Sequence, residues 1–156
     1  MPKTSTERSA EAVVPRRDGY RLDDQVGFLL RRAYQRASGN LIERIGVHDL
    51  TAPQFATLAR LHECGKLSQN RLGRLVAMEP ANIRDVVQRL KRRRLVSTGH
   101  DPTDARLILV TLTAAGRKLV ESLLPVETAC TARTLAPLDP AEQRLLYALL
   151  RKVIDG

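Results

Sequence analysis

The sequence predicts a mostly α-helical fold carrying one small β hairpin, and three observations support this. Apolar residues recur at spacings of three and four along most of the chain, and Ser, Thr, Pro and Gly mark the ends of those runs. One stretch, residues 94–113, instead reads as two β-rich segments, RLVS and RLILVTLT, around the turn-forming TGHDPTD. The length of 156 residues suits one core-forming unit with appendages better than two full domains.

Each element follows in chain order. Residues 1–20 are polar, aperiodic and interrupted by proline, and are expected to form a flexible tail. From Leu22 the stripe Leu22, Val26, Leu29, Leu30, Ala33 and Ala37 predicts a first helix reaching about Arg44, with Gly46 breaking it. A second helix is expected with Thr51 as N-cap, Pro53 in its first turn and Gly65 just past its end. Ser68 is placed to cap a third helix that buries Leu72, Leu75 and Val76, and a fourth follows at once from Pro80 to about Arg93. After the two-stranded hairpin, Thr113 is placed to cap a long helix, bent at Pro125 where a backbone donor is missing, and a last helix runs from Pro140 to about Ile154. No internal repeat or low-complexity block is present.

Charge narrows the function. Lys and Arg number 26 against 17 Asp and Glu, a net charge of +9 that draws in polyanions or acidic membrane surfaces. Aromatic residues make up only 3%, leaving few rings to stack on unpaired bases, which favours duplex DNA over single strands. An RNA-binding role stays open on charge alone. No apolar run is long enough to cross a bilayer and no signal-peptide pattern opens the chain, so a soluble, cytoplasmic protein without a membrane partner is expected. Cys64 and Cys130 make no disulfide framework and read as small packing residues. His62 and Cys64 lie two apart on a helix and point about 200° away from each other, so no metal site is expected. Cys64 at a helix C-terminus is also badly placed to become a reactive thiolate. Without a phosphate-binding loop, dinucleotide turn, nucleophile elbow or zinc-hydrolase motif, neither an enzyme nor a cofactor is expected.

The order helix, helix-turn-helix, hairpin, helices describes a winged helix-turn-helix with N- and C-terminal helical extensions. On the fourth helix Ile83, Val86, Val87 and Leu90 face one way. Ala81, Asn82, Arg84, Asp85 and Gln88 lie on or near the other, early in the helix, where base edges of a major groove are met. Asn and Gln can pair with adenine and Arg with guanine, so these are the candidate readers, led by Arg84 and Gln88. Arg89, Lys91, Arg92, Arg93 and Arg94 form a basic cluster at the C-terminal end, suited to phosphates, with Arg89 and Arg92 as the chosen contacts. The plainer reading of each is a solvent-facing helix residue. At the hairpin tip, Arg106 is placed to enter a narrow A·T-rich minor groove, and Asp104 to orient its guanidinium; the plainer reading is a surface ion pair.

The stretch DPTDARLILVTLTAAG following NIRDVVQRLKRRRLV resembles the signature of the MarR (multiple-antibiotic-resistance) family of regulators, over roughly residues 21–154. The resemblance implies a homodimer with one winged helix per subunit, Arg106 as the wing-tip minor-groove residue and Asp104 as its positioning partner. The chain would then be one domain over 21–156, with the winged helix at about 47–113 and dimerisation helices at about 21–45 and 114–154. Two positions depart from the common pattern: Arg94 stands where many members have Gly at a left-handed helix end, and Thr98 where many have Arg, so the resemblance implies one phosphate contact fewer.

The terminal helices carry more apolar stripe than a small winged helix covers, so a second copy in an isologous twofold interface is expected, with half-sites about 34 Å apart on a near-palindromic operator. A ligand wedged between the dimer helices and the winged helix would lower DNA affinity by preferring a spacing that misses the grooves. Family members often sense small aromatic acids there, and YRLDDQVGFLLRRAYQR with LSQNRLGRL is similar to repressors of aromatic-acid breakdown, including nicotinate degradation. Candidate carboxylate donors are Arg31, Arg32, Gln35 and Arg36, with Phe28, Tyr34, His48, Phe55 and His62 as walls. The expected function is a sequence-specific duplex-DNA repressor released by an aromatic carboxylate; the alternative is a ligand-independent architectural DNA- or RNA-binding protein.

Overall fold

The computed structural model describes residues 19–156, so most of the tail expected over 1–20 lies outside the described residues. The chain divides into two units, one ending at Ala33 and the other spanning Tyr34–Gly156, and helix α1, Val26–Ile45, contributes to both. In the first unit a 3-10 turn over Leu22–Asp24 precedes α1; an Arg21–Asp24 ion pair at 3.2 Å and a hydrogen bond from Gln25 Nε2 to Arg21 O at 3.1 Å hold the turn.

In the second unit, a 3-10 turn over Gly46–His48 leads to α2, Ala52–Cys64, whose start is sealed by a reciprocal cap. The Thr51 hydroxyl accepts from Gln54 N and the Gln54 side chain accepts from Thr51 N at 3.0 Å, which accounts for a glutamine that is buried. Strand β1, Leu67–Ser68, runs directly into α3, Gln69–Leu75, capped by Ser68. Helix α4 spans Pro80–Arg92 and the wing strands β2 and β3 span Val96–His100 and Ile108–Leu112. Helix α5, Ala114–Leu135, starts at the Thr113 cap and continues through Pro125, and α6, Pro140–Asp155, starts at an Asp139–Glu142 capping box.

The core of this unit collects the inward stripes of the winged helix. Leu58 and Leu61 from α2, Leu72 from α3, Ile83, Val87 and Leu90 from α4, Val110 from β3 and Val120 and Leu123 from α5 are all essentially inaccessible to solvent. Each such side chain contributes about 1.5–3 kcal/mol relative to exposure. Two glycines let elements approach where a side chain would not fit. A Cβ on Gly73 would come within 2.9 Å of Ile83 Cγ2, and one on Gly116 would sit 1.9 Å from Leu95 O. The second is the joint between wing and α5: Thr113 N donates to Leu95 O at 3.1 Å and the Thr113 hydroxyl donates to Arg94 O at 2.7 Å. The L-T-x-x-G spacing therefore seats the first turn of α5 on the backbone that leaves α4.

Several expectations need correction. The hairpin is part of a three-stranded antiparallel sheet of order β1-β3-β2, with Leu67 opposite Val110 and Val96 opposite Leu112. The first wing strand begins at Val96 and extends through Thr98, Gly99 and His100, residues that read as turn but pair with β3 as far as Ile108. Leu75 is not a core residue: α3 ends there and Leu75 is 38% exposed, because the chain turns away through Ala77 at φ 54°, while Val76 is half-buried and packs against the core. Cys130 packs inside, but Cys64 is exposed. Arg94 has φ 57°, so a side chain does occupy the left-handed position that follows α4, a strain of about 1 kcal/mol.

Candidate nucleic-acid interface and ligand cavity

Helix α4 presents a continuous polar face. Ala81, Asn82, Arg84, Asp85, Gln88, Arg89 and Arg92 are all exposed, and among the described residues none of Arg84, Arg89 and Arg92 is in an ion pair. The face is available because Ile83, Val87 and Leu90, at helical spacing, lock the opposite side into the core. Arg93 behaves differently from its neighbours. Its guanidinium donates to Asp49 O at 2.5 Å and His48 O at 2.7 Å, fastening the end of α4 to the left-handed turn before α2. A run of four arginine and lysine residues gives no sign of which one is so used; the signal is tertiary.

In the wing, Arg106 has a side chain that is 90% exposed, yet it is oriented from one side. Its Nε and one NH2 hydrogen donate to the two oxygens of Asp104 at 2.9 and 3.0 Å, while its own backbone N–H donates to the same carboxylate at 3.0 Å. Two of the guanidinium's five hydrogens are thereby occupied and three remain directed outward. The Arg106 side chain and backbone hydrogen bonds hold the Asp104 carboxyl below the usual aspartate value, and the same carboxylate raises the basicity of Arg106. A lone exposed ion pair adds little to stability; here its consequence is that the guanidinium of an exposed side chain is held in one orientation.

A cavity of about 850 Å³ lies within the second unit, bounded by one stripe of α1 (Tyr34, Ala37, Ser38 and Leu41), by Phe55 and Arg60 of α2, and by Cys130 and Thr131 of α5. Its size is in the range of small-molecule sites. Its floor includes Leu75, Val76, Ala77 and Met78, the connection between α3 and α4. Of the residues expected to contact a ligand it brings together Tyr34 and Phe55. Gln35 and Arg36 fall off the 34, 37, 38, 41 stripe, the carbonyl of His48 is engaged by Arg93, and His62 faces Glu121 at 3.3 Å; none of these four lines the cavity. Phe28, Arg31 and Arg32 belong to the first unit, where Arg32 stacks 5.9 Å from the Phe28 ring. The cation lining the cavity is instead Arg60, which sequence reading missed because its Glu63 neighbour at 2.6 Å makes it an ordinary i,i+3 helix pair. Among the described residues no cluster of His, Cys, Asp or Glu suits a metal, and no helix is long and apolar enough to cross a membrane.

Comparison with known proteins agrees with this architecture. Residues 48–107, the winged helix up to the wing tip, match the model of the MarR family. The chain is 38% identical over 137 residues to the transcriptional repressor NicR of Pseudomonas putida, covering 88% of this chain and 87% of that one. It superposes with a TM-score of 0.83 on Bordetella bronchiseptica BpsR, whose DNA binding is regulated by 6-hydroxynicotinic acid, at 42% identity over 88% of this chain and 98% of that one. Streptomyces coelicolor PcaV, solved with its natural ligand, gives a TM-score of 0.78 at 32% identity, covering 94% of this chain and 99% of that one. With a helix-turn-helix locked by Gly73 and Ile83, and a three-stranded wing whose tip carries an aimed arginine, this chain belongs to the MarR family of winged helix-turn-helix transcriptional regulators.

Proposed function

We propose that the protein is a cytoplasmic, non-enzymatic repressor that binds a near-palindromic operator as a homodimer and lets go when a small aromatic carboxylate fills the cavity beneath the helix-turn-helix. The observation that carries the reading is the pairing of a free polar face on α4 with Arg106 held in a bidentate grip by Asp104. In this arrangement Arg84, Gln88 and Asn82, flanked by Ala81 and Asp85, meet base edges in the major groove, and Arg89 and Arg92 meet phosphates. Arg106 enters the adjacent minor groove. The wide apolar face of α6, with Leu145, Leu149 and Val153 all more than half exposed, supports self-association as one domain over residues 21–156.

For the effector, a mostly apolar cavity whose one guanidinium, Arg60, stands with the carboxylates of Glu63 and Glu127 in the lining suits a flat ring bearing a carboxylate, with Arg60 as its anchor in exchange for Glu63 and Tyr34 and Phe55 as walls. The regulation of BpsR by 6-hydroxynicotinic acid supports a ligand of that class here. Release follows from the cavity floor. Met78 N donates to Gly73 O at 2.9 Å, and Ala77 stands in the left-handed region, so the connection into α4 has little slack. A ligand packed on Leu75–Met78 then favours a shifted α4, and its differential affinity for that state sets the loss of DNA affinity, typically 5–150-fold.

The test is a mobility shift on the duplex upstream of the protein's own coding region, titrated with hydroxylated and unsubstituted pyridine and benzene carboxylates. A discrete complex dissolved by one member of the panel is expected, with Arg60→Gln losing the response but not the complex. Equal binding to unrelated duplexes, or a preference for folded RNA, would instead point to an architectural protein.

A further inference from the structure

The wing loop is folded around two carboxylates in series. Asp101 Oδ1 accepts from Thr103 N at 2.8 Å, from the Thr103 hydroxyl at 2.6 Å and from Asp104 N at 3.1 Å. This local turn fixes the peptide that bears Asp104, and the carboxylate of Asp104 then takes three hydrogen bonds from Arg106. The loop is closed at its base, where Asp101 N donates to Leu107 O at 3.0 Å and Leu107 N to Asp104 O at 2.9 Å. It is buttressed from β2, where His100 Nδ1 donates to Ala105 O at 2.8 Å. All three groups that Asp101's side chain holds lie within residues 103–104 and none belongs to the core. No hydrogen bond joins its side chain to Arg106; it acts through Asp104.

We propose that Asp101 is a positioning residue for DNA recognition: its carboxylate sets the loop shape from which Asp104 aims Arg106 into the minor groove. Asp101 was not among the residues the sequence singles out, because an Asp before Pro reads as turn punctuation. The inference rests on the reading of Arg106 as the wing-tip contact. It explains why this loop devotes an acidic side chain to its own backbone in a protein that must approach phosphates. Without those three acceptor contacts the Asp104 peptide can rotate, and the bidentate geometry needs that peptide fixed. The three bonds lower the Asp101 carboxyl below the usual aspartate value, first through the Thr103 hydroxyl, which is what acceptor contacts to the charged form produce.

The experiment uses the full chain with Asp101→Ala, Asp101→Asn, Arg106→Ala and the Asp101→Ala/Arg106→Ala double variant. Operator affinity is read by fluorescence anisotropy, and the exchange of the Arg106 Nε–H proton is read by NMR without DNA. Asp101→Ala is expected to weaken operator binding about five- to tenfold, the scale of losing charge-assisted hydrogen bonds. Asp101→Asn, which keeps the Oδ1 acceptor, should restore affinity to within about twofold, and Asp101→Ala should add nothing to Arg106→Ala beyond that margin. The Arg106 Nε–H should exchange faster in the alanine variant and not in the asparagine variant. An undiminished Asp101→Ala penalty in the Arg106→Ala background, or an Nε–H indifferent to Asp101, would overturn the proposal. If Arg106→Ala alone binds as well as the unaltered protein, the minor-groove reading fails and this proposal with it, while the exchange measurement separately decides whether Asp101 positions the side chain.

Discussion

Helices α4 and α6 begin alike, with proline as the first helical residue, and are similar in length at 13 and 16 residues, yet their faces are used in opposite ways. In α4 the apolar residues Ile83, Val87 and Leu90 are fully buried and the polar ones are left outside. In α6 no residue is buried; Leu145 is 58% exposed and Ile154 79%. A helix whose apolar face is satisfied within its own chain has its polar face free for a polyanion. One whose apolar face is unsatisfied has that face free for another apolar surface. Under the proposed function, the two helices divide the tasks of reading DNA and of pairing copies of the chain.

The sharpest way to break this contrast is to put a charge on the α6 face. Leu149→Glu should leave helix content unchanged, abolish self-association in sedimentation velocity, and weaken operator binding by about 10²-fold or more as the second half-site contact becomes independent. Unaltered association would remove α6 from the interface. The complementary change on α4, Ile83→Ala, should leave association intact but lower stability by about 2–5 kcal/mol in urea denaturation, because a cavity opens where Ile83 packs against Gly73 of α3.

Within the α4 face itself, Gln88→Ala should relax base preference at one position by about 1–3 kcal/mol. Arg89→Ala should instead lower affinity for all sequences and reduce the salt slope by about one. Competition with a set of single-base operator variants at two salt concentrations separates the two, and a uniform effect from Gln88→Ala would count against it as a reader. Smaller still, Arg94→Gly should raise stability by about 1 kcal/mol by relieving the left-handed residue after α4; a loss of stability would mean the side chain compensates its backbone.

The pH response of the wing is set by two carboxyls whose values are depressed in the folded state. A depressed value means that the contribution is present above the ordinary aspartate range and is lost as pH falls through the lower, folded values. Protection of the Arg106 Nε–H should therefore persist from neutral to mildly acid solution and disappear only below the ordinary aspartate range. Earlier loss would contradict the doubly held loop.

Much of the winged helix was legible because its signals are local. Thr51, Ser68 and Thr113 cap α2, α3 and α5 where a hydroxyl precedes an apolar run, Gly65 ends α2 at φ 72°, and the D-x-R geometry of Asp104 and Arg106 follows from two residues in one turn. What was not legible depends on distant partners. Strand β1 is two residues long and has no period to detect; it exists because Leu67 meets Val110. Thr98–His100 are strand only because β3 supplies their hydrogen bonds. Leu75 has the spacing of a core residue but lies beside a cavity, and Arg60 acquires its place there from the helices around it. Periodicity reports which face turns inward, not whether protein or empty space waits on that side.

The most direct test is a hydroxyl-radical footprint of the protein on the duplex upstream of its own coding region. Two protected tracts with centres about 34 Å apart are expected, each flanked by a minor-groove patch that opens in Arg106→Ala while the central protection remains. A single tract, uniform protection along the duplex, or flanks indifferent to Arg106 would contradict this expectation.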